Sequence, residues 1–60
     1  MKGSELIRIL MKNGCYFVSH GGRHDKWFSP ITKNYFRVPR HASEVKKGTA
    51  EAILKQAGVK

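Results

Sequence analysis

Apolar residues recur at Leu6, Ile7, Leu10 and Met11, with Glu5, Arg8 and Lys12 between and around them. This is the spacing of one helix face and predicts a helix over roughly residues 5 to 13. Ser4 stands where an N-cap belongs, and Glu5 puts negative charge into the first turn. Asn13-Gly14 ends the pattern, with Gly14 suited to the left-handed position that closes a helix. The period then changes. Residues 15 to 19, Cys-Tyr-Phe-Val-Ser, are aromatic and β-branched and read as a short strand, broken by His20-Gly21-Gly22. A second strand is expected from about His24 to Phe28. Pro30 with Thr32, Lys33 and Asn34 supplies the next turn.

The run from Tyr35 to Arg40 reads as a third strand. Its alternation sets Phe36 and Val38 on one face, with Tyr35 and Arg37 on the other. Pro39 cannot donate a ladder hydrogen bond, so this strand ends there or lies at an edge. After a polar loop over residues 41 to 48, Ala50, Ile53, Leu54 and Ala57 return to helical spacing, and Gly58 closes the pattern. The expected fold is therefore α+β, in the order α-β-β-β-α. A three-stranded antiparallel sheet carries both helices on the Phe36 and Val38 face and leaves its other face to solvent.

The second strand holds a conflict. Trp27 argues for burying the side it shares with Asp25, whereas Phe28 argues for the side of His24 and Lys26. The reading adopted puts Trp27 inside, with Asp25 near the sheet end and partly wet. His24 and Lys26 are then exposed.

Length and charge narrow the function. Sixty residues make a single domain, residues 1 to 60, with a thin core. No apolar run approaches the roughly 20 residues needed to span a bilayer, and Arg8 interrupts the segment where a signal peptide would be apolar. A membrane partner is not expected. The single Cys15 excludes an internal disulfide, suits a reducing cytoplasm and reads as a small core residue. Twelve Lys and Arg against four Asp and Glu give a net charge of +8. Such a charge on so small a domain points to an anionic partner, either nucleic acid or an acidic protein.

The chemistry concentrates in Gly21-Gly22-Arg23-His24-Asp25-Lys26. An exposed histidine can exchange protons near neutral pH, as cleavage of an RNA phosphodiester requires. Lys26, Arg23, Arg37 and Arg40 can hold phosphate oxygens, and the glycines allow a sugar-phosphate backbone to come close, with main-chain N–H donors. Tyr35, Arg37, Arg40 and His41 interleave aromatic and basic residues, a pattern suited to stacking on bases. Lys46 and Lys47, near the start of the last helix, can add phosphate contacts. Taken alone, the same residues also describe an ordinary hairpin bearing surface cations. His20, His24, His41 and Cys15 lack the spacing of a metal site, and no nucleotide-binding loop is present, so neither metal nor cofactor is expected.

Four segments in order, Ser-Glu-Leu-Ile-Arg-Ile-Leu-Met-Lys-Asn-Gly, Gly-Gly-x-His, Val-Pro-Arg-His and Lys-Lys-Gly-Thr-Ala-Glu-Ala-Ile-Leu-Lys-Gln-Ala-Gly, resemble the HicA toxins of HicBA toxin–antitoxin pairs. The resemblance runs from Ser4 to Val59. It implies an mRNA interferase with a fold like a double-stranded RNA-binding domain. It further implies His24 as the catalytic histidine of a metal-independent endoribonuclease, with the step at Gly22 beside it. The implied partners are mRNA and a HicB-like antitoxin that neutralises the toxin in a hetero-oligomer. Two departures stand out: Gly22 occupies a position where relatives often carry serine, and Asp25 follows the histidine where an apolar residue is frequent. Asp25 would add negative charge next to the ring and favour its protonated form. Two other classes fit the same residues: a non-catalytic RNA-binding module of the same fold, and a basic regulatory protein that docks an acidic partner.

Overall fold

The computed structural model describes residues 1–39 and 43–59; Arg40, His41, Ala42 and Lys60 lie outside the described residues. The elements follow the order α1 (Gly3–Lys12), β1 (Tyr16–His20), β2 (His24–Ser29), β3 (Asn34–Pro39) and α2 (Lys47–Ala57). The strands form one antiparallel sheet in the order β1-β2-β3. The α+β class and the α-β-β-β-α order expected from periodicity are those observed.

The core is a single cluster. Leu6 and Leu10 from α1, Ala50, Ile53 and Ala57 from α2, and Trp27, Phe36 and Val38 from the sheet pack with Cys15 and Val45. Trp27 pairs with Phe36, and Asp25 with Val38, so the buried face of β2 is the one that carries Trp27. That resolves the conflict between Trp27 and Phe28. The larger ring goes inside, and Phe28 stays half-buried on the outer face, where it has other rings for neighbours.

α1 begins earlier than its capping residues suggest. Lys2, not Ser4, holds the N-cap position, and no side chain caps it. The reason is tertiary: the Gly3 N–H donates to the Ser43 carbonyl, the Val45 N–H donates to the Met1 carbonyl, and the Met1 amino group donates to Glu44 at 2.7 Å. The segment before α2 thus pins residues 1 to 3 and starts the helix two residues ahead of Glu5. At its other end, Gly14 at φ 88° donates to Met11, and the Cys15 N–H donates to Leu10. These two bonds are the Schellman closure. Met11, counted in the apolar stripe, lies mostly exposed beside it.

α2 closes in the same way. Gly58 at φ 75° donates to Lys55, and the Val59 N–H donates to Leu54. The carbonyls left over are met by side chains from the β2–β3 turn: the buried Ser29 hydroxyl donates to Ala57 at 2.6 Å, and Thr32 Oγ1 donates to Gln56. Ser29 also accepts from the Ile31 N–H, so one hydroxyl joins the turn to the helix end.

β1 departs from the expectation that helices cover one whole sheet face. All five of its residues are exposed. The helices lie over β2 and β3, and β1 projects as an edge. Its pairing with β2 skips Val18, because Phe17 faces Trp27 whereas Ser19 faces Lys26. This bulge exchanges the faces of everything after it. His20 moves to the side of Asp25, and Ser19 moves to the side of Lys26.

Candidate nucleic-acid interface and active site

Strand alternation with the observed register gives the outer sheet face in three rows. Tyr16, Phe28 and Tyr35 form the first, because Tyr16 pairs with Phe28 and Phe28 with Tyr35. Ser19, Lys26 and Arg37 form the second, and His24 with Pro39 begins the third. Gly22, Arg23, His24, Lys26, Tyr35 and Arg37 line one open depression of about 530 Å³, together with Ser19. Five of the six residues named from sequence as site candidates therefore come together. The sixth, Arg40, lies outside the described residues, as does His41.

His24 opens β2 at the mouth of the β1–β2 hairpin and is exposed. Its backbone carbonyl accepts from the Gly21 N–H at 2.8 Å, which closes the hairpin. A Cβ on Gly21 would stand 2.5 Å from that carbonyl oxygen, so no side chain fits there. Gly22 differs: nothing lies within 4 Å of where its Cβ would be. The two glycines thus do different work. Gly21 is required by the hairpin, and its N–H is engaged, contrary to the expectation that both glycines offer N–H donors to phosphate. Gly22 faces open space, consistent with a position where serine is also acceptable.

Asp25 takes the side that the alternation of β2 gave it, partly buried, and its carboxylate has a partner there. Its carboxylate lies on the opposite face from the His24 side chain, and Oδ1 sits 2.9 Å from His20 Nδ1. The His20 ring in turn packs on Phe17, with centroids 4.8 Å apart. The bulge at Val18 makes this pair possible. Without it His20 would share the outer face, and Asp25 would end β2 without that partner.

Electrostatically the outer face is all of one sign. None of the four acidic residues points from it: Asp25, which borders the depression, turns its carboxylate to His20 on the other face, Glu5 and Glu51 are on the helices, and Glu44 holds the Met1 amino group. The Lys26 ammonium rests 4.3 Å from the centre of the Tyr35 ring, a cation–π contact that holds the charge beside the depression. A second surface hollow runs from His24 and Arg37 past Pro39 to Gly48 and Thr49 in the first turn of α2, with Lys46 and Lys47 at its start. Sequence reasoning set Phe28 on the side of His24 and Lys26 but missed Ser19 and Tyr16 as members of this face. The alternation of β1 could have offered Tyr16, but the bulge hid Ser19.

The model of the HicA toxin of bacterial toxin–antitoxin systems matches residues 3–59. The chain belongs to the HicA toxin family. It is thus a toxin of a toxin–antitoxin system. No curated protein and no solved structure matches the chain. Among the described residues of this HicA-family chain, no helix is long and apolar enough to cross a membrane.

Proposed function

We propose that this HicA-family toxin is an endoribonuclease that cleaves mRNA in the cytoplasm, with His24 as its proton-transfer group and a HicB-like antitoxin as its neutralising partner. The observation that carries this reading is the convergence of His24, Lys26, Arg37, Arg23 and Gly22 on one depression, where the single acidic residue of the lining, Asp25, is paired with His20. In the reaction so read, the ribose 2′-oxygen attacks phosphorus and gives its proton to a base. The bond from phosphorus to the 5′-oxygen breaks, and that oxygen takes a proton from an acid. His24 supplies one of these two transfers.

Lys26 and Arg37 are cross-strand partners and can both face the phosphorus-bound oxygens, where charge builds in the transition state. Two partners for the second proton transfer share the face with His24. Lys26 is two residues along β2, about 7 Å away in strand rise, whereas Tyr35 pairs with Phe28, twice as far along. The register favours Lys26. Arg23 in the hairpin and Lys46 and Lys47 at α2 extend the phosphate path on either side. An acidic antitoxin surface would bind the same basic face and block access to it.

The test is RNA cleavage in EDTA by wild type beside His24→Ala, both taken through one preparation. The expected result is cleavage that survives chelation and is lost in the variant, whose thermal melting is unchanged. Equal cleavage by both proteins removes His24 from the chemistry. Binding without cleavage by either identifies a non-catalytic RNA-binding module instead.

A further inference from the structure

Tyr16, Phe28 and Tyr35 form a continuous aromatic row across all three strands of the outer face. Ring centroids are 5.5 Å apart between Tyr16 and Phe28, and 5.0 Å apart between Phe28 and Tyr35. Cross-strand aromatic pairs stabilise a sheet, which accounts for the contacts. It does not account for leaving Tyr16 53% and Tyr35 58% exposed beside a row of Ser19, Lys26 and Arg37 that is polar and cationic. Exposed rings beside cations are what a flexible polyanion with free base faces needs. The cations hold its phosphates, and every base has a π-face to lay on a ring.

Resting on the ribonuclease reading of the same site, we infer that the row is a stacking platform for unpaired bases, so that the toxin acts on single-stranded RNA. A duplex offers this row nothing, because its base faces are stacked inside and only its groove edges and backbone are presented. The three rows also follow one another in a working order along β2. A base on the Phe28 row is followed by the Lys26 and Arg37 row, which meets the phosphate, and then by His24. From Phe28 to His24 is four strand steps, about 13 Å. A strand stacked on the platform therefore passes the cations on its way to the histidine. Lys26, resting over Tyr35, couples the two functions: it covers part of one ring face and keeps its ammonium beside the stacked base.

The experiment uses the His24→Ala protein, so that the RNA stays intact, and fluorescein-labelled 12-nucleotide RNA in single-stranded and fully paired form, read by anisotropy. Tyr16→Ala and Tyr35→Ala are made in that background, with Tyr35→Phe as the conservative companion, and thermal melting checks the fold of each. The expected result is tighter binding of the single strand, a loss of about five-fold or more in each alanine variant, and retention in Tyr35→Phe. Equal affinity for duplex and single strand, with alanine variants unchanged, overturns the platform and leaves the ribonuclease reading standing. Unchanged RNA affinity with loss of co-purification of the coexpressed antitoxin overturns it in favour of a protein interface. Absence of any RNA binding, with no cleavage by the wild type, overturns both readings together.

Discussion

At the residue scale, the paired glycines before His24 separate into a structural and a permissive position. The Gly21 N–H holds the His24 carbonyl, and no Cβ fits beside it. Gly21→Ala should therefore open the hairpin, lower the melting temperature by several degrees and displace His24. Gly22→Ser meets no neighbour and should leave melting unchanged, so any change it causes in RNA cleavage is a direct effect on substrate. Thermal denaturation and cleavage rates on the two variants check both statements. The doublet was legible in the sequence, but its division of labour was not. Two identical residues differ here only through the distance of each from a carbonyl contributed by the other side of the hairpin.

At the element scale, α2 combines a good C-terminal closure with an unfavourable start. Lys46 and Lys47 open it, and its first turn has no acidic residue. Cations at that end oppose the helix dipole. Lys47→Glu should raise stability by about 0.3–1 kcal/mol at low salt while weakening RNA binding. Urea unfolding and RNA anisotropy measured on the same variant would show the two effects with opposite sign. If stability and affinity both fall, Lys47 has a structural contact instead of a role toward RNA. Helix periods, strand alternation and both closing glycines were readable because each is a local backbone requirement. The start of α1 was not, since residues 43 to 45 impose it from the far end of the chain.

At the scale of the whole molecule, a net charge of +8 is arranged so that no acidic side chain points from the outer sheet face. Binding to single-stranded RNA should then weaken linearly on a logarithmic salt scale, by about 0.7 per phosphate contacted. With Arg23, Lys26 and Arg37 in contact, the slope should be close to −2, and Arg37→Ala should make it shallower by about 0.7. Anisotropy titrations across a salt series measure both. A slope unchanged in Arg37→Ala places that guanidinium away from phosphate. If the antitoxin proposed above presents an acidic surface to this face, its capture should show a similar salt dependence.

The sequence by itself determined the order of elements, the face of β3 that is buried and the cations and histidine available for chemistry. These follow from periods of 3.6 and 2, which each segment expresses without reference to the others. It also gave the family, through four segments in one order along the chain. Tertiary structure decided what depends on pairing between segments. It put Trp27 rather than Phe28 inside, because only one side of β2 lies beneath the helices. It turned Asp25 to His20 through a bulge at Val18 that no local pattern announces. It also aligned Tyr16, Phe28 and Tyr35, three residues far apart in the chain, into a single row. A strand's alternation fixes which side chains share a face, but only the register between strands fixes which of them meet.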